Sequence, residues 1–289
     1  MPCCSLVIRT KNEKLGLRAL LEMLSLQTVQ DVEVIVVDSG STDGTVSLAN
    51  NHHCQVITIP SSSFTFGSAL NTGVQNAQAP LIITISAHCL PADIYWLERL
   101  LQPFDLYPHL AGVYGRQIPF SQASPLEQRG LKEAYPLQNT FSLQDRSFFS
   151  NAHAAFRKSV WSQLSFNELL TGAEDIEWAK RVREAGFLLG YEPTSLVFHS
   201  HTETRKEVRE RFFREALALT SFDHALLQTF GIPGALLRWG KSVFLDELFL
   251  LTTFFSLKYF LKWILFIPFY RASVYYGQLQ AFRTIDRKI

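Results

Sequence analysis

Apolar positions near the start of the chain fall into short continuous runs separated by stretches of helical period. Leu6-Val7-Ile8 is the first run. Leu17, Leu20, Leu21 and Leu24 then recur at helical spacing before Val34-Ile35-Val36-Val37 opens a second run. Strands that are apolar on both faces and joined through a helix predict a β-α-β unit in a parallel sheet covered by helices. Val56-Ile57-Thr58-Ile59 and Leu81-Ile82-Ile83-Thr84-Ile85 predict two more strands, with a helix between them from Ala69 to Ala77. The segment from Asp38 to Thr45 is rich in glycine and short polar side chains, which predicts a turn that caps the next helix. The expected fold is α/β, a single Rossmann-like domain with a mostly parallel sheet flanked by helices.

A further helix is expected from Ala92 to Leu101, after which the pattern loosens through Ser121-Gln122-Ala123-Ser124-Pro125 and on to Asp145. Order returns at Phe148-Phe149-Ser150-Asn151 and at a helix that starts near Glu174 and closes at Gly186. From Val243 to Tyr270 the chain is heavily apolar, yet its longest uncharged run before Lys258 is Leu248 to Leu257, far short of the ~20 residues of a spanning helix. On one continuous helix, Glu247, Lys258 and Lys262 fall within about 60° of one another, leaving a wide face of Leu, Phe, Tyr and Trp. That pattern predicts an amphipathic C-terminal region that lies on a membrane surface, with Pro268 able to end one segment. The alternative is that the same face packs on protein. Residues 1–225 are expected to form the α/β domain, which would carry any catalytic site, and 226–289 the helical, membrane-associating region.

Composition narrows the partners. Hydrophobic residues make up 47% of the 289 and charged residues 18%, so the chain can bury a core. The 27 Lys+Arg and 26 Asp+Glu nearly cancel, so no global field favours nucleic acid and any anion must be held locally. Cys3, Cys4, Cys54 and Cys89 form no metal-type or disulfide ladder and read as reduced thiols. Met1 runs directly into the first strand without a signal-peptide pattern, which gives a cytoplasmic expectation, at the inner face of the cell membrane.

Ligands of such sheets bind beyond the carboxyl ends of the strands. The polar segments expected there are Arg9 to Glu13, Asp38 to Asp43, and Ser86-Ala87-His88-Cys89. Asp38 ends a buried strand, where a carboxylate requires a partner such as a nucleobase imide or a ribose hydroxyl; Ser41, Thr42 and Asp43 are turn and capping residues first. Glu174 and Asp175 open a helix. Acids there complement the helix dipole, but two adjacent carboxylates can also divide a reaction, one orienting a hydroxyl and the other taking its proton. His199 and His201 are spaced by two on an extended segment, so at most one faces a given site. Arg205, Lys206, Arg209 and Arg211 read as a solvated helix face before they read as diphosphate ligands.

The segments Val36 to Thr45 and Gly172-Ala173-Glu174-Asp175-Ile176-Glu177-Trp178-Ala179-Lys180-Arg181 together resemble the family-2 glycosyltransferases, inverting enzymes with an A-type glycosyltransferase fold. The likeness runs from Ser5 to His201. The stretches Ile8 to Glu13, Phe66 to Gly73 and Ser150 to Phe156 are most similar to bacterial rhamnosyltransferase-type members. The resemblance implies a nucleotide-diphosphate sugar as donor and a glycan or lipid-linked acceptor. It implies that Thr10, Asn12, Glu13 and Asp38 line the nucleotide pocket, with Ser86 and His88 at its end. Asp175 is then the base, with Glu174 and Asn151 on the acceptor side. It also implies a metal-binding Asp-x-Asp after the fourth strand, where this sequence has Ser86-Ala87-His88. Three readings follow: His88 with His199 or His201 binds a divalent ion, Mn²⁺ in preference to Mg²⁺; His88 steadies the leaving diphosphate without metal; or the chain is a non-catalytic nucleotide-sugar or glycan-binding relative.

Overall fold

The computed structural model describes residues 2–223, 232–253 and 256–286. Two compact units emerge, one comprising Met1–Phe120, Ala134–Leu170 and Glu174–Ser200, the other Ser121–Glu133, Thr171–Ala173 and His201–Ile289.

The first unit opens with β1 (Cys4–Thr10), α1 (Lys14–Leu24), β2 (Val32–Asp38), α2 (Thr45–Asn51), β3 (Gln55–Thr58), α3 (Phe66–Asn76) and β4 (Leu81–Ser86). It continues through β5 (Leu90–Pro91), α4 (Trp96–Leu101), α5 (Pro103–Leu106) and β6 (Leu110–Ile118). The second unit takes nearly all of α6 (Pro125–Ala134), and the first resumes with β7 (Ser142–Leu143), β8 (His153–Arg157), α7 (Lys158–Trp161), α8 (Glu174–Glu184) and β9 (Leu188–Phe198).

The strands join in the order β3-β2-β1-β4-β8-β6-β9-β5, with β7 on β9. The half predicted from the apolar runs is parallel throughout. The other half is mixed, because β8 runs antiparallel to both β4 and β6 while β6 and β9 pair in parallel. Register fixes where chemistry can sit. Thr10 pairs with Asp38 and Arg9 with Ser86, so β1, β2 and β4 all end at one edge of the sheet. Antiparallel β8 starts at that same edge, with Ile85 opposite His153, which brings the residues just before His153 beside the end of β4.

Helix α1 lies close to that edge. A Cβ on Gly16 would sit 2.8 Å from the Ala87 carbonyl oxygen and 3.0 Å from the His88 Cα, so glycine lets the helix approach the β4 exit. The predicted helix from Ala92 is shorter than expected and begins at Trp96. Trp96 Nε1 donates to His153 Nε2 at 2.6 Å inside the core, and burial pushes the His153 pKa down to about 3, so that ring is a neutral structural histidine. All four cysteines are free thiols; Cys4, Cys54 and Cys89 are buried and Cys3 is exposed.

The second unit is helical: α6, α9 (Arg205–Phe222), α10 (Ile232–Thr253) and α11 (Leu257–Asp286). One expectation is corrected here. Val243 to Tyr270 is not one helix, because α10 ends at Thr253 and α11 starts at Leu257. Glu247 therefore shares no helical face with Lys258 and Lys262. Pro268 lies inside α11 and ends nothing. Asp246, 2% exposed, accepts from Arg129 Nε at 2.6 Å and Arg271 Nε at 2.5 Å, an ionic knot that ties α6, α10 and α11 around Leu126, Leu250 and Ile267. Gly277 lets α11 cross α9 closely, since a Cβ there would lie 2.3 Å from the Arg209 carbonyl oxygen. The basic residues of α9 are engaged within this unit. Arg211 pairs with Glu203 and Glu215, Arg205 lies over the Phe269 ring, and Arg209 lies over the Tyr276 ring.

Candidate active site

At the end of β2 the Asp38 carboxylate is 1% exposed, and its Oδ2 accepts from the Gly40 and Ser41 N–H groups at 2.9 and 3.0 Å. Those two bonds close the turn. Asp38 Oδ1 is buried and has no hydrogen-bond partner among the described residues, and neither has Thr10 Oγ1 on the paired strand. A buried acceptor left in this state carries a desolvation cost that a ligand donor would remove. Asn12 shapes the loop beside this strand end. Held at φ 55°, it donates its N–H to Ser41 Oγ at 2.7 Å and accepts from the Thr42 N–H at 2.8 Å through Oδ1, so its side chain pins the loop after Asp38.

Glu13 faces the next strand end. Its Oε1 lies 3.1 Å from His88 Nδ1. The other ring nitrogen of His88, Nε2, lies 3.0 Å from His199 Nε2, and the two rings stack. His199 is held by β9, whose exit it follows, and its N–H donates to the Ile118 carbonyl at 2.9 Å. His199 Nδ1 lies 2.5 Å from Gln117 Oε1. The Gln117 amide nitrogen donates to Tyr135 Oη and Ser150 Oγ, which leaves its oxygen as the acceptor.

These partners set the tautomers by inference from the network. A carboxylate and an amide oxygen can only accept, so both imidazoles carry their proton on Nδ1. The two Nε2 atoms, 3.0 Å apart, then turn their lone pairs toward a common point, a spacing that a shared cation would satisfy. Imidazoles oriented through Nδ1 by a carboxylate or an amide oxygen are the usual second-shell arrangement of a metal site. The donor set therefore fits a divalent ion. His201 belongs to the second unit, where its N–H donates to Glu127 Oε1.

The paired acids reach the same sheet edge through the loop before β8. The Ser86 N–H donates to the Ala152 carbonyl at 3.2 Å, and the neighbouring Asn151 holds both acids. Its backbone N–H donates to Asp175 Oδ2 at 3.2 Å, and its Nδ2 donates to Glu174 Oε1 at 3.3 Å. The Asn151 residue is buried, and its Oδ1 has no hydrogen-bond partner among the described residues. The chain turns into α8 at Ala173 with φ 55°, a conformation that non-glycine residues rarely adopt.

Glu174 is buried with Arg9 as its counter-ion, Nη1 at 3.6 Å. That distance is beyond hydrogen bonding, and Arg9 Nη1 retains an unsatisfied N–H while its guanidinium packs over the Phe66 ring. Asp175 is half-buried, and the protein packed around its carboxyl pushes the pKa up to about 7; the negative charge of Glu174 adds to the rise, while the N–H groups of Asn151 and Ile176 and the more distant Arg9 oppose it. A carboxylate with a pKa near neutrality, beside a second acid that stays paired with a cation, is an arrangement suited to taking a proton from a weakly acidic hydroxyl.

Thr10, Asp38, Ser86, His88, Asn151, Glu174 and Asp175 thus meet at one edge of the sheet, with His199 arriving from β9. Arg9 and Gln117 were not singled out from the sequence. Arg9 precedes a residue that was, and it became visible only through the β1–β4 register; Gln117 gives no signal in one dimension.

The profile of glycosyl transferase family 2 matches residues 5–164. The O-antigen chain rhamnosyltransferase RfbN of Salmonella typhimurium is 31% identical over 220 residues, covering 72% of this chain and 70% of the relative. The O-antigen chain rhamnosyltransferase WbaN of Salmonella anatum is 29% identical over 197 residues, covering 65% of this chain and 62% of the relative. Among solved structures, the mannosyltransferase PcManGT from Pyrobaculum calidifontis, in complex with GDP-Man and Mn2+, aligns with a TM-score of 0.57 at 18% identity over 98% of this chain and 73% of that one. S. aureus TarS 1-349 in complex with UDP-GlcNAc aligns with a TM-score of 0.57 at 13% identity over 100% of this chain and 92% of that one.

Proposed function

Because this chain is a glycosyltransferase that belongs to family 2, we propose that it moves a hexosyl or deoxyhexosyl unit, rhamnosyl in the first instance, from a nucleotide-diphosphate sugar to a glycan or lipid-linked acceptor in cell-surface polysaccharide synthesis, with inversion. The observation that carries this reading is the Glu174–Asp175 pair, tied by Asn151 to the strand edge where Asp38 Oδ1 and Thr10 Oγ1 lack partners. The two O-antigen rhamnosyltransferases that the chain resembles support rhamnosyl as the unit moved.

In this reading Asp38 Oδ1 accepts a hydrogen bond from the nucleobase or ribose and Thr10 lies beside it. Asn151 Oδ1 and Glu174 orient the acceptor, and Asp175 takes the proton of its hydroxyl as that oxygen attacks the anomeric carbon. The nucleoside diphosphate leaves from the opposite face, which inverts the configuration. Arg9, with donor capacity left over from its ion pair, steadies developing charge near Glu174. His88 and His199, aimed by Glu13 and Gln117, would hold a divalent ion, Mn²⁺ in preference to Mg²⁺ because imidazole suits the softer ion. When bound, such an ion supplies Lewis-acid neutralisation of the diphosphate charge. The PcManGT complex contains Mn2+, which supports this assignment.

The test is a panel of uridine, guanosine and thymidine diphosphate sugars offered with soluble glycan and lipid-linked acceptors. Release of nucleoside diphosphate coupled to an elongated acceptor is expected from at least one donor. Absence of turnover across the whole panel, with a folded protein that still binds nucleotide, would support a silent sugar-binding relative instead.

A further inference from the structure

The described residues of the second unit carry exposed apolar stripes on two helices. On α10, Leu237, Lys241, Phe244, Leu248 and Leu251 recur every three to four residues, all exposed, with Leu237 at 76%. They form one stripe. The two acids of this helix lie elsewhere: Asp246 is buried in its ionic knot and Glu247 is half-buried to one side of the stripe. On α11 the same spacing aligns Lys258, Leu261, Lys262, Leu265, Phe269 and Tyr276, again all exposed, with Leu265 at 72%. The sequence carries no Asp or Glu between Leu257 and Ile285. Both helices therefore turn leucine, phenylalanine and lysine outward, which inverts the ordinary pattern of a surface helix.

We propose that the exposed stripes of α10 and α11 dock this protein in the plane of an anionic lipid surface. Three observations select this occupant. No helix among the described residues is long and apolar enough to cross a membrane, so the apolar stripes are suited to lying along an interface rather than spanning it. The charges set among the apolar groups, Lys241, Lys258 and Lys262, are all positive, and long lysine stems let the ammonium groups reach phosphate while the apolar residues sink between acyl chains. A second copy of the same face, paired about a two-fold axis, would oppose lysine to lysine.

A cleft of about 450 Å³ lies where α11 meets α9 and is lined by Arg209, Glu210, Phe213, Tyr276, Gln280 and Arg283, among others. Tyr276 belongs to the α11 stripe, so the cleft continues it. Arg209 and Arg283 supply guanidinium donors suited to a lipid headgroup phosphate there, with the Glu210 carboxylate also on the lining.

The full chain is floated with vesicles of phosphatidylcholine alone and of phosphatidylcholine with phosphatidylglycerol. It is expected to float with the anionic vesicles, less so in about 0.5 M salt, where charge screening is strong. Leu261→Ser with Leu265→Ser should weaken binding at least about tenfold. Lys258→Glu with Lys262→Glu should remove the preference for phosphatidylglycerol. These side chains are exposed, so far-UV circular dichroism and sugar transfer to a water-soluble acceptor should match the unaltered protein. A chain that stays unbound with both vesicles, or leucine variants that float as well as the unaltered chain, would overturn the proposal. So would a dimer in sedimentation that the leucine substitutions dissociate without any flotation, which would assign the face to a second copy. The transfer assay is unaffected by any of these outcomes, so the reaction and the docking fail separately.

Discussion

Asp175→Asn is expected to lower kcat for sugar transfer by about 10²–10⁴-fold, the range for removing a general base, while leaving the dissociation constant for the donor within a few-fold of its original value. The split follows from the geometry. Asp175 is held by the Asn151 N–H, which asparagine can still satisfy through its Oδ1, whereas the donor-side groups Asp38 and Thr10 lie on strands that this substitution does not touch. A second consequence has the opposite sign. The Asp175 pKa is raised in the fold, so the stabilisation from its protonated form is fully present below the unfolded value near 4 and disappears as pH rises through about 7. Above that pH the folded chain bears the cost of a crowded carboxylate beside Glu174. Asparagine does not ionise, so the variant should gain on the order of 1–2 kcal/mol relative to the parent between about pH 4 and pH 7, allowing for partial solvent contact and one weaker hydrogen bond. Thermal melts at about pH 5 and pH 8 would show this as a Tm difference that grows with pH. A catalytic residue whose removal stabilises the resting protein is a common mark of a site arranged for reaction rather than for folding.

His199→Ala is expected to lower kcat/KM by about 10²-fold or more and to raise the Mn²⁺ concentration needed for half-maximal activity, with His88→Ala behaving alike. The argument rests on the hydrogen-bonded partners. Glu13 and Gln117 favour the Nδ1 protons on both rings, so the pair turns two Nε2 atoms toward each other at 3.0 Å, and losing either leaves one candidate ligand where two converged. Gln117→Leu should then give a milder version, about 10–100-fold in metal affinity, because His199 loses the acceptor that sets its tautomer. Undiminished turnover in excess EDTA would overturn the metal assignment and leave a proton shared between the rings as the cation at this place.

The parts of the protein that were readable in one dimension are those where a single period or a single contiguous motif fixes the outcome. The doubly apolar runs of β1, β2 and β4 and the leucine spacing of α1 could pack in few ways other than a parallel sheet with a crossover helix. Asp38 and the Glu174–Asp175 pair were visible because each sits at an element boundary where a carboxylate has an obvious use. The antiparallel placement of β8 between β4 and β6 was not visible, since pairing direction is decided by topology and not by composition. It is this strand that carries Asn151 to the acids and to Ser86. Gln117 acts on His199 across 82 residues of sequence, and nothing local in β6 announces it. Asn12 lies in the expected segment, and that its Oδ1 braces the turn after Asp38 is a detail that only hydrogen-bond geometry shows. At the C-terminus the apolar content was plain. The break between α10 and α11 was not, and it changed which residues share a face.

The claim that Asp175 is the base is tested most directly by the pH dependence of kcat/KM for transfer, because that ratio reports ionisations of the free enzyme. The raised pKa predicts an acid limb of unit slope that bends near pH 7, with activity falling about tenfold per pH unit below it. The residual activity of Asp175→Asn should lack that limb. An acid limb that persists unchanged in Asp175→Asn would contradict the assignment and give the proton to another group.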